Sequence, residues 1–296
     1  MAITTADTTA NSRTAAWDGN NHESTYIPRG PVTASLKFFD GPSDGSKPFN
    51  YPLGTEPPEG MPRRNFGDSD LLVMVKDIRG DEARYNIDDN AFTTLRAGLS
   101  PGVDFGSSDS IKEKYYPEVE ATLLERFPEA NRVFIFDHTS RPSGGSRPPV
   151  LRTHIDQSKA AALAKVRTML PNEADELLKG RVRIINVWRP LNGPVQSFPL
   201  AFADSKTVKD QNLHVVEHRY VDRTGETLSL AHADEQWYYW SGVDNDERLL
   251  IQCFDSEKGG RLAHTSFEDP RTPEGARHRE SIEVRALVFH EDDTLE

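Results

Sequence analysis

The chain has 296 residues, 36% of them apolar and 28% charged, with a formal net charge of −12 and a pI near 5.3. That balance suits a soluble globular protein and argues against nucleic acid and anionic membrane surfaces as partners. A single cysteine, Cys253, excludes an intrachain disulfide and a cysteine-built zinc or iron–sulfur centre.

Residues 1–30 are rich in Thr, Ala, Asn and Asp without periodicity and read as a flexible arm. They carry no apolar secretory segment, and the longest apolar runs, such as "LLVMV", fall far below the ~20 residues of a membrane helix. A cytoplasmic protein with one domain over 31–296 is expected. "VTASLKFFD" (32–40) and "DLLVMVKDIR" (70–79) read as strands, separated by a Pro/Gly-rich extended segment.

The stretch 107–127 is the first helix, anchored by Leu123, Leu124 and Phe127, with Pro117 kinking or dividing it. "NRVFIFDHTSR" (131–141) alternates into a buried strand; "PSGGSRPP" breaks the chain, and "VLRTHIDQS" (150–158) resumes extended structure. Residues 156–180 are helical, with Ala161, Leu163, Val166 and Leu170 at helical spacing. Beyond Gly180 come seven short strand candidates, ending in "ESIEVRALVFH"; within "LLIQCFDS", Cys253 reads as a core thiol. Mainly β structure with flanking helices, a β-sandwich or jelly roll, follows.

Nine histidines offer rival metal sites. His154 and Asp156, two apart on a strand, point to one side and can reach one ion; with a later histidine they form the two-His-one-carboxylate set of non-haem iron(II) enzymes. His232 and Asp234 repeat the spacing. "HVVEH" carries His214, Glu217 and His218 in the order of inverted zinc peptidases, a motif that needs a helix where the flanking valines favour a strand.

The C-terminal region discriminates between the two H-x-D pairs. His264 lies on a β-like run, and Arg279 and Ser281 share a strand face, a fork suited to a carboxylate. Only thirty residues separate Asp234 from His264, whereas 108 separate Asp156 from it. Strands of ~5–6 residues with their turns fit a helix and five or six strands only into the longer span.

In this combination the chain resembles the iron(II)/2-oxoglutarate-dependent oxygenases. More narrowly, "VFIFDHTSR", "INVWRPLNGPVQSFPLAFADSKTV", "YYWSGVDNDERLLIQCFDS", "HTSFEDP" and "RESIEVRALVF" resemble the CmcJ / GA4 desaturase / AsaB-like hydroxylase-desaturase group over residues 30–290. Some members of that group act in fungal meroterpenoid pathways, one of them forming an endoperoxide.

The resemblance implies a double-stranded β-helix (jelly roll, cupin-like) and an oxidoreductase that uses Fe(II), with 2-oxoglutarate and O2 as co-substrates. His154, Asp156 and His264 would bind iron. Arg279, helped by Ser281, would take the distal carboxylate of 2-oxoglutarate, with Arg277 and Arg285 as substitutes because the spacing from His264 is slightly long. Asn186 is expected as a hydrogen-bond partner at the co-substrate. Trp188 reads either as a wall for an apolar natural-product substrate or simply as core, His138 either as approaching the pocket mouth or as a satisfied buried histidine, and Arg189 as facing away into a structural ion pair. "QWYYW" (236–240) would lie partly in the core and partly at a substrate entrance or homodimer surface. The implied outcome is hydroxylation, desaturation or endoperoxidation in secondary metabolite biosynthesis. Two readings stay open beside it: a non-catalytic jelly-roll binding protein, and a zinc hydrolase using His214, Glu217 and His218.

Overall fold

The computed structural model describes residues 26–142 and 148–290. Most of the expected arm, and residues 143–147 of "PSGGSRPP", lie outside them. In chain order the strands are β1 (Val32–Asp40), β2 (Phe49–Asn50), β3 (Gly67–Asp77), β4 (Phe92–Arg96), β5 (Ala130–Arg141), β6 (His154–Ile155) and β7 (Val182–Pro190). Then follow β8 (Leu200–Ala203), β9 (Leu213–Arg219), β10 (Thr224–Leu230), β11 (Trp237–Tyr239), β12 (Glu247–Asp255), β13 (His264–Ser266) and β14 (Ser281–His290).

They form two sheets, ordered β1-β3-β11-β8-β13-β6-β10-β9-β2 and β4-β12-β7-β14-β5. A parallel bridge from Lys37 to Arg152 brings edge strand β1 round to the approach of β6, so the larger sheet curls. This is the jelly-roll architecture. Strands β7 to β12 do occupy the interval between His154 and His264.

Alternation explains the outer strands. In β1, Val32, Ala34, Leu36 and Phe38 are buried while Thr33 and Ser35 are exposed, a period of two. By contrast β7 and β12 are buried throughout, because the smaller sheet is covered on both faces. One face joins the main core through Ile184, Trp188, Leu249, Ile251 and Leu287. The other packs Ile185, Val187, Leu250, Ile282 and Val284 against Ile111, Tyr115, Val119 and Leu123 of the helical layer. Each fully buried aliphatic side chain there is worth roughly 1.5–3 kcal/mol.

That helical layer is one segment with a π turn, Ile111–Tyr115, running into the helix Tyr116–Arg126, where Pro117 sits in the first turn. Proline lacks an N–H to bond there, so the divide falls just ahead of it. Leu124, expected as an anchor, is 37% exposed, and Leu123 with Phe127 does the anchoring. The second helix is shorter than expected, Lys159–Met169, then Ala174–Leu177 after Pro171. Its buried alanine is Ala162 in place of Ala161.

Neither an entrance nor a dimer surface uses the aromatics of "QWYYW". Trp237, Tyr238, Tyr239 and Trp240 are all buried. Tyr238 meets Tyr85 edge-on, and Trp240 donates to Glu82 at 2.8 Å under the Arg79 guanidinium. Among the described residues, no helix is long and apolar enough to cross a membrane.

Candidate active site

Strand pairing closes the long interval in sequence. His264 of β13 pairs directly with His154 of β6, and their ring centroids lie 4.5 Å apart. Asp156, one residue past β6, completes the group. Its Oδ1 is 3.3 Å from His154 Nε2 and 3.9 Å from His264 Nε2, and the three ligand atoms all fall within 4.8 Å of one another.

The remaining polar atoms of the triad are tied to the scaffold. His154 Nδ1 lies 2.8 Å from the Arg152 carbonyl and His264 Nδ1 lies 3.1 Å from that of Leu262. A carbonyl only accepts, so each Nδ1 carries the proton and each Nε2 presents a lone pair inward. On Asp156, Oδ2 accepts from Asn186 Nδ2 at 2.7 Å and Arg285 Nε at 3.0 Å, which leaves Oδ1 facing the imidazoles. Burial pushes the Asp156 carboxyl up, but the Arg285 charge outweighs it and holds it well below the usual carboxylate range. Two neutral imidazoles and one carboxylate oxygen suit a divalent iron with open positions.

Arg285 also bonds Asp137 Oδ2 at 3.1 Å, Thr139 Oγ1 at 3.0 Å, and Glu283. Arg279 is its opposite. Its guanidinium donates to the Phe198 carbonyl and, at 3.1 Å, to Ser266 Oγ, and sits 5.4 Å over the Trp188 ring. Among the described residues no carboxylate pairs with it. Arg279 Nε and the Ser281 hydroxyl are buried without a hydrogen-bond partner. Burial, with the nearby Arg141 charge, brings Arg279 down to about 9. A buried cation held by neutral oxygens is set to receive an anion.

A cavity of about 560 Å³ borders the segment that follows Asp156, beginning at Gln157 and walled by Leu213, Val215, Leu228, Cys253 and Phe254, with Glu226 and Arg261 among its polar groups; the three triad side chains do not line it. Its size and mixed lining fit a small organic molecule. These wall residues were missed in the sequence, although the shared parity of Leu213 and Val215 on β9 is the pattern that would have marked a common face. Cys253 is the buried thiol expected, pushed up by burial.

Several expected residues are placed elsewhere. Trp188 is buried against Arg279 and does not wall the cavity. His138 faces the helical layer, its Nδ1 2.7 Å from the Tyr116 hydroxyl, and not the pocket mouth. The cause is a bulge: Arg285 pairs with Asp137 and Ala286 with Ile135, so Phe136 is extra and the parity of β5 reverses there.

Asn186 puts its donor on Asp156, while its Oδ1 is buried without a partner. Arg285 is committed to three carboxylates and cannot substitute for Arg279. Arg277 is seen bonded through its backbone, to Gln196 and Ser197. Among the described residues Arg189 makes no direct ion pair; it donates to Ser100 Oγ at 3.0 Å, which in turn donates to Glu118.

The rival metal motifs do not assemble. "HVVEH" lies on β9, with His214 stacked on Phe39, Glu217 bonded to Lys47 and Arg219, and His218 bonded to Asn50 and Thr227. His232 and Asp234 are exposed. Among the described residues, His154, Asp156 and His264 are the group able to hold a metal.

Comparison with known proteins agrees with this geometry. The family described as "Oxidoreductase/YMDC permease-like domain" matches residues 36–289. The hydroxylase/desaturase poxK of Penicillium oxalicum is 37% identical, over 90% of this chain and 93% of the relative. The Fe(II)/2-oxoglutarate-dependent dioxygenase nvfI of Aspergillus novofumigatus is 31% identical, over 86% and 96%. A solved structure of a variant of the iron and alpha-ketoglutarate-dependent endoperoxidase NvfI superposes with a TM-score of 0.82 at 26% identity, over 90% of this chain and 99% of that one. The chain thus belongs to the iron(II)/2-oxoglutarate-dependent oxygenases, within the group that contains these hydroxylase/desaturases.

Proposed function

We propose that His154 Nε2, His264 Nε2 and Asp156 Oδ1 hold the iron(II), and that the enzyme oxidises a small, largely apolar natural product that enters by the cavity beginning at Gln157. The observation that carries this reading is the convergence of those three atoms, each turned inward because the other polar atom of its side chain is bonded to the scaffold. When bound, iron with 2-oxoglutarate and O2 supplies the oxidising equivalents for hydroxylation, desaturation or endoperoxidation. The protein orients and excludes water.

Arg279 and Ser281 receive the distal carboxylate of 2-oxoglutarate. Their buried, unpartnered Nε and Oγ support that role. Asn186 acts on the site through Asp156, and Trp188 covers the Arg279 guanidinium. The apolar walls Leu213, Val215 and Leu228 favour a carbon framework with few charges. The names of relatives such as poxK and nvfI point to a role in secondary metabolism.

The test is an anaerobic titration with Fe(II) and 2-oxoglutarate, followed by the visible charge-transfer band of the complex. Wild type and His232→Ala should give the band; His154→Ala and His264→Ala should not. A band that persists in His154→Ala would overturn the assignment.

A further inference from the structure

A second cavity, of about 300 Å³, opens on the face of the smaller sheet turned away from the candidate iron site. Asn186 reaches Asp156 and Leu249 joins the main core, whereas Val187 and Leu250 belong to the helix-side cluster. Alternate residues of a strand share a face, so Arg189 of β7 and Arg248 of β12 stand on the helix side with Val187 and Leu250. The cavity lies between Tyr115, the first turn of the helix Tyr116–Arg126 and the segment that follows β4, with exposed Gly98 and Leu99 at its rim.

The polar groups here are donors short of an acceptor. Arg248 is buried, and its Nη1 donates to the Asn245 and Glu247 carbonyls at 2.7 and 3.1 Å, its Nη2 to that of Gly98 at 2.9 Å. Nε and one Nη2 hydrogen remain for a further acceptor. Arg189, also buried, has its guanidinium 5.7 Å from the Tyr115 ring and donates to Ser100 Oγ and the Pro190 carbonyl. Among the described residues neither arginine forms an ion pair. Glu118 is the carboxylate at the cavity; it is exposed and already accepts from Ser100. Two buried guanidiniums against one exposed carboxylate leave a net positive charge.

Tyr115 is 1% exposed, and its hydroxyl has no hydrogen-bond partner. Burial pushes the phenol up, against the two arginine charges, so it keeps a proton to donate. A buried hydroxyl beside two cations lacks what they also lack, an anionic acceptor.

We infer that this cavity is a second ligand site, and that it takes a small aliphatic monocarboxylate whose oxygens accept from Arg248 and the Tyr115 hydroxyl while its chain lies on Ala97, Leu99, Val119 and Val187. A single negative charge matches the single excess positive one, and Glu118 opposes a second. The apolar walls favour a hydrocarbon tail over an inorganic anion, and the volume is at the small end for ligand pockets. The inference is independent of the iron ligands and of Arg279.

Ligand-observed NMR titration of the intact enzyme with sodium butyrate at fixed ionic strength tests it, with butyramide and inorganic phosphate as comparators. Butyrate should bind saturably to wild type and butyramide should not. Tyr115→Phe should weaken butyrate by about tenfold or more, the usual loss for a hydrogen bond to a charged group, without lowering stability in urea, because the hydroxyl is unpartnered in the free enzyme. Arg248→Gln should abolish binding; if that variant does not fold, Tyr115→Phe carries the test. Glu118→Gln should tighten butyrate, and Arg279→Met should leave it unchanged. Absence of saturable binding, equal affinity in wild type and Tyr115→Phe, or a loss in Arg279→Met would overturn the site. Phosphate binding more tightly than butyrate would overturn the ligand class.

Discussion

Asn186 Nδ2 lies 2.7 Å from Asp156 Oδ2, so a strand of the smaller sheet decides which oxygen a loop residue of the larger sheet turns toward His154 and His264. Arg285 holds the same oxygen from β14 at 3.0 Å. Losing an outer partner of a metal ligand typically costs 10–100-fold in metal affinity. Asn186→Ala should therefore weaken iron(II) by about tenfold or more, as measured by competition with a chelating dye under anaerobic conditions. Arg285→Met should do more, since Asp156, Asp137 and Glu283 would face one another without their shared cation; unaltered iron affinity in both variants would refute the bracing role.

Cavity walls and metal ligands should separate experimentally. Val215→Trp places bulk in the cavity of about 560 Å³ without touching the triad. An apolar fluorescent dye that binds wild type should lose most of its affinity for this variant, while succinate formation from 2-oxoglutarate without substrate persists. His154→Ala should behave oppositely, keeping the dye and losing succinate formation. If Val215→Trp binds the dye as wild type does, the cavity is not the dye site.

His138 supplies a control. Its bond to Tyr116 at 2.7 Å ties β5 to the helix Tyr116–Arg126, on the side away from the triad. Burial, with the Asp137 charge, raises the Tyr116 hydroxyl to about 12, so it stays protonated and available to donate. His138→Phe should lower unfolding stability by about 1–2 kcal/mol in urea titrations and leave iron and 2-oxoglutarate binding unchanged. A large loss of cofactor affinity would return His138 to the pocket.

These outcomes mark how far the amino-acid order could be read. His154, Asp156 and His264 were legible because ligand chemistry restricts residue type and because the span to His264 must accommodate the strands of a jelly roll. Strands with one solvated face, such as β1, were legible from alternation. What stayed hidden depends on register. Phe134 and Phe136 suggest a parity that carries His138 inward, and a single unpaired residue at Phe136 reverses it. The bracing of Asp156 by Asn186 and Arg285 joins positions far apart in sequence, which no local pattern encodes. The burial of all four aromatics in "QWYYW" likewise needs partners, Tyr85 and Glu82 among them, supplied from a distant segment.

Acid sensitivity should begin at a cluster remote from the candidate iron site. Asp88 accepts from Arg183 at 2.5 Å, Lys258 at 2.8 Å and Arg181 at 3.1 Å. Burial pushes its carboxyl up, but the Lys258 hydrogen bond and the Arg183 and Arg181 charges outweigh burial and lower it to about 2. Because the folded value lies below the unfolded one, near 3.8, the group stabilises the fold fully above the unfolded value. That contribution is lost as pH falls toward about 2. The Asp88 side chain is 38% exposed, so solvent screening reduces the contribution to on the order of 1 kcal/mol. Asp88→Asn should thus be less stable than wild type by about that amount at neutral pH, with the gap closing as the pH of urea titrations drops from about 5 toward 2. A gap that stays constant with pH would show that Asp88 contributes through hydrogen bonding that asparagine also loses, and not through its charge.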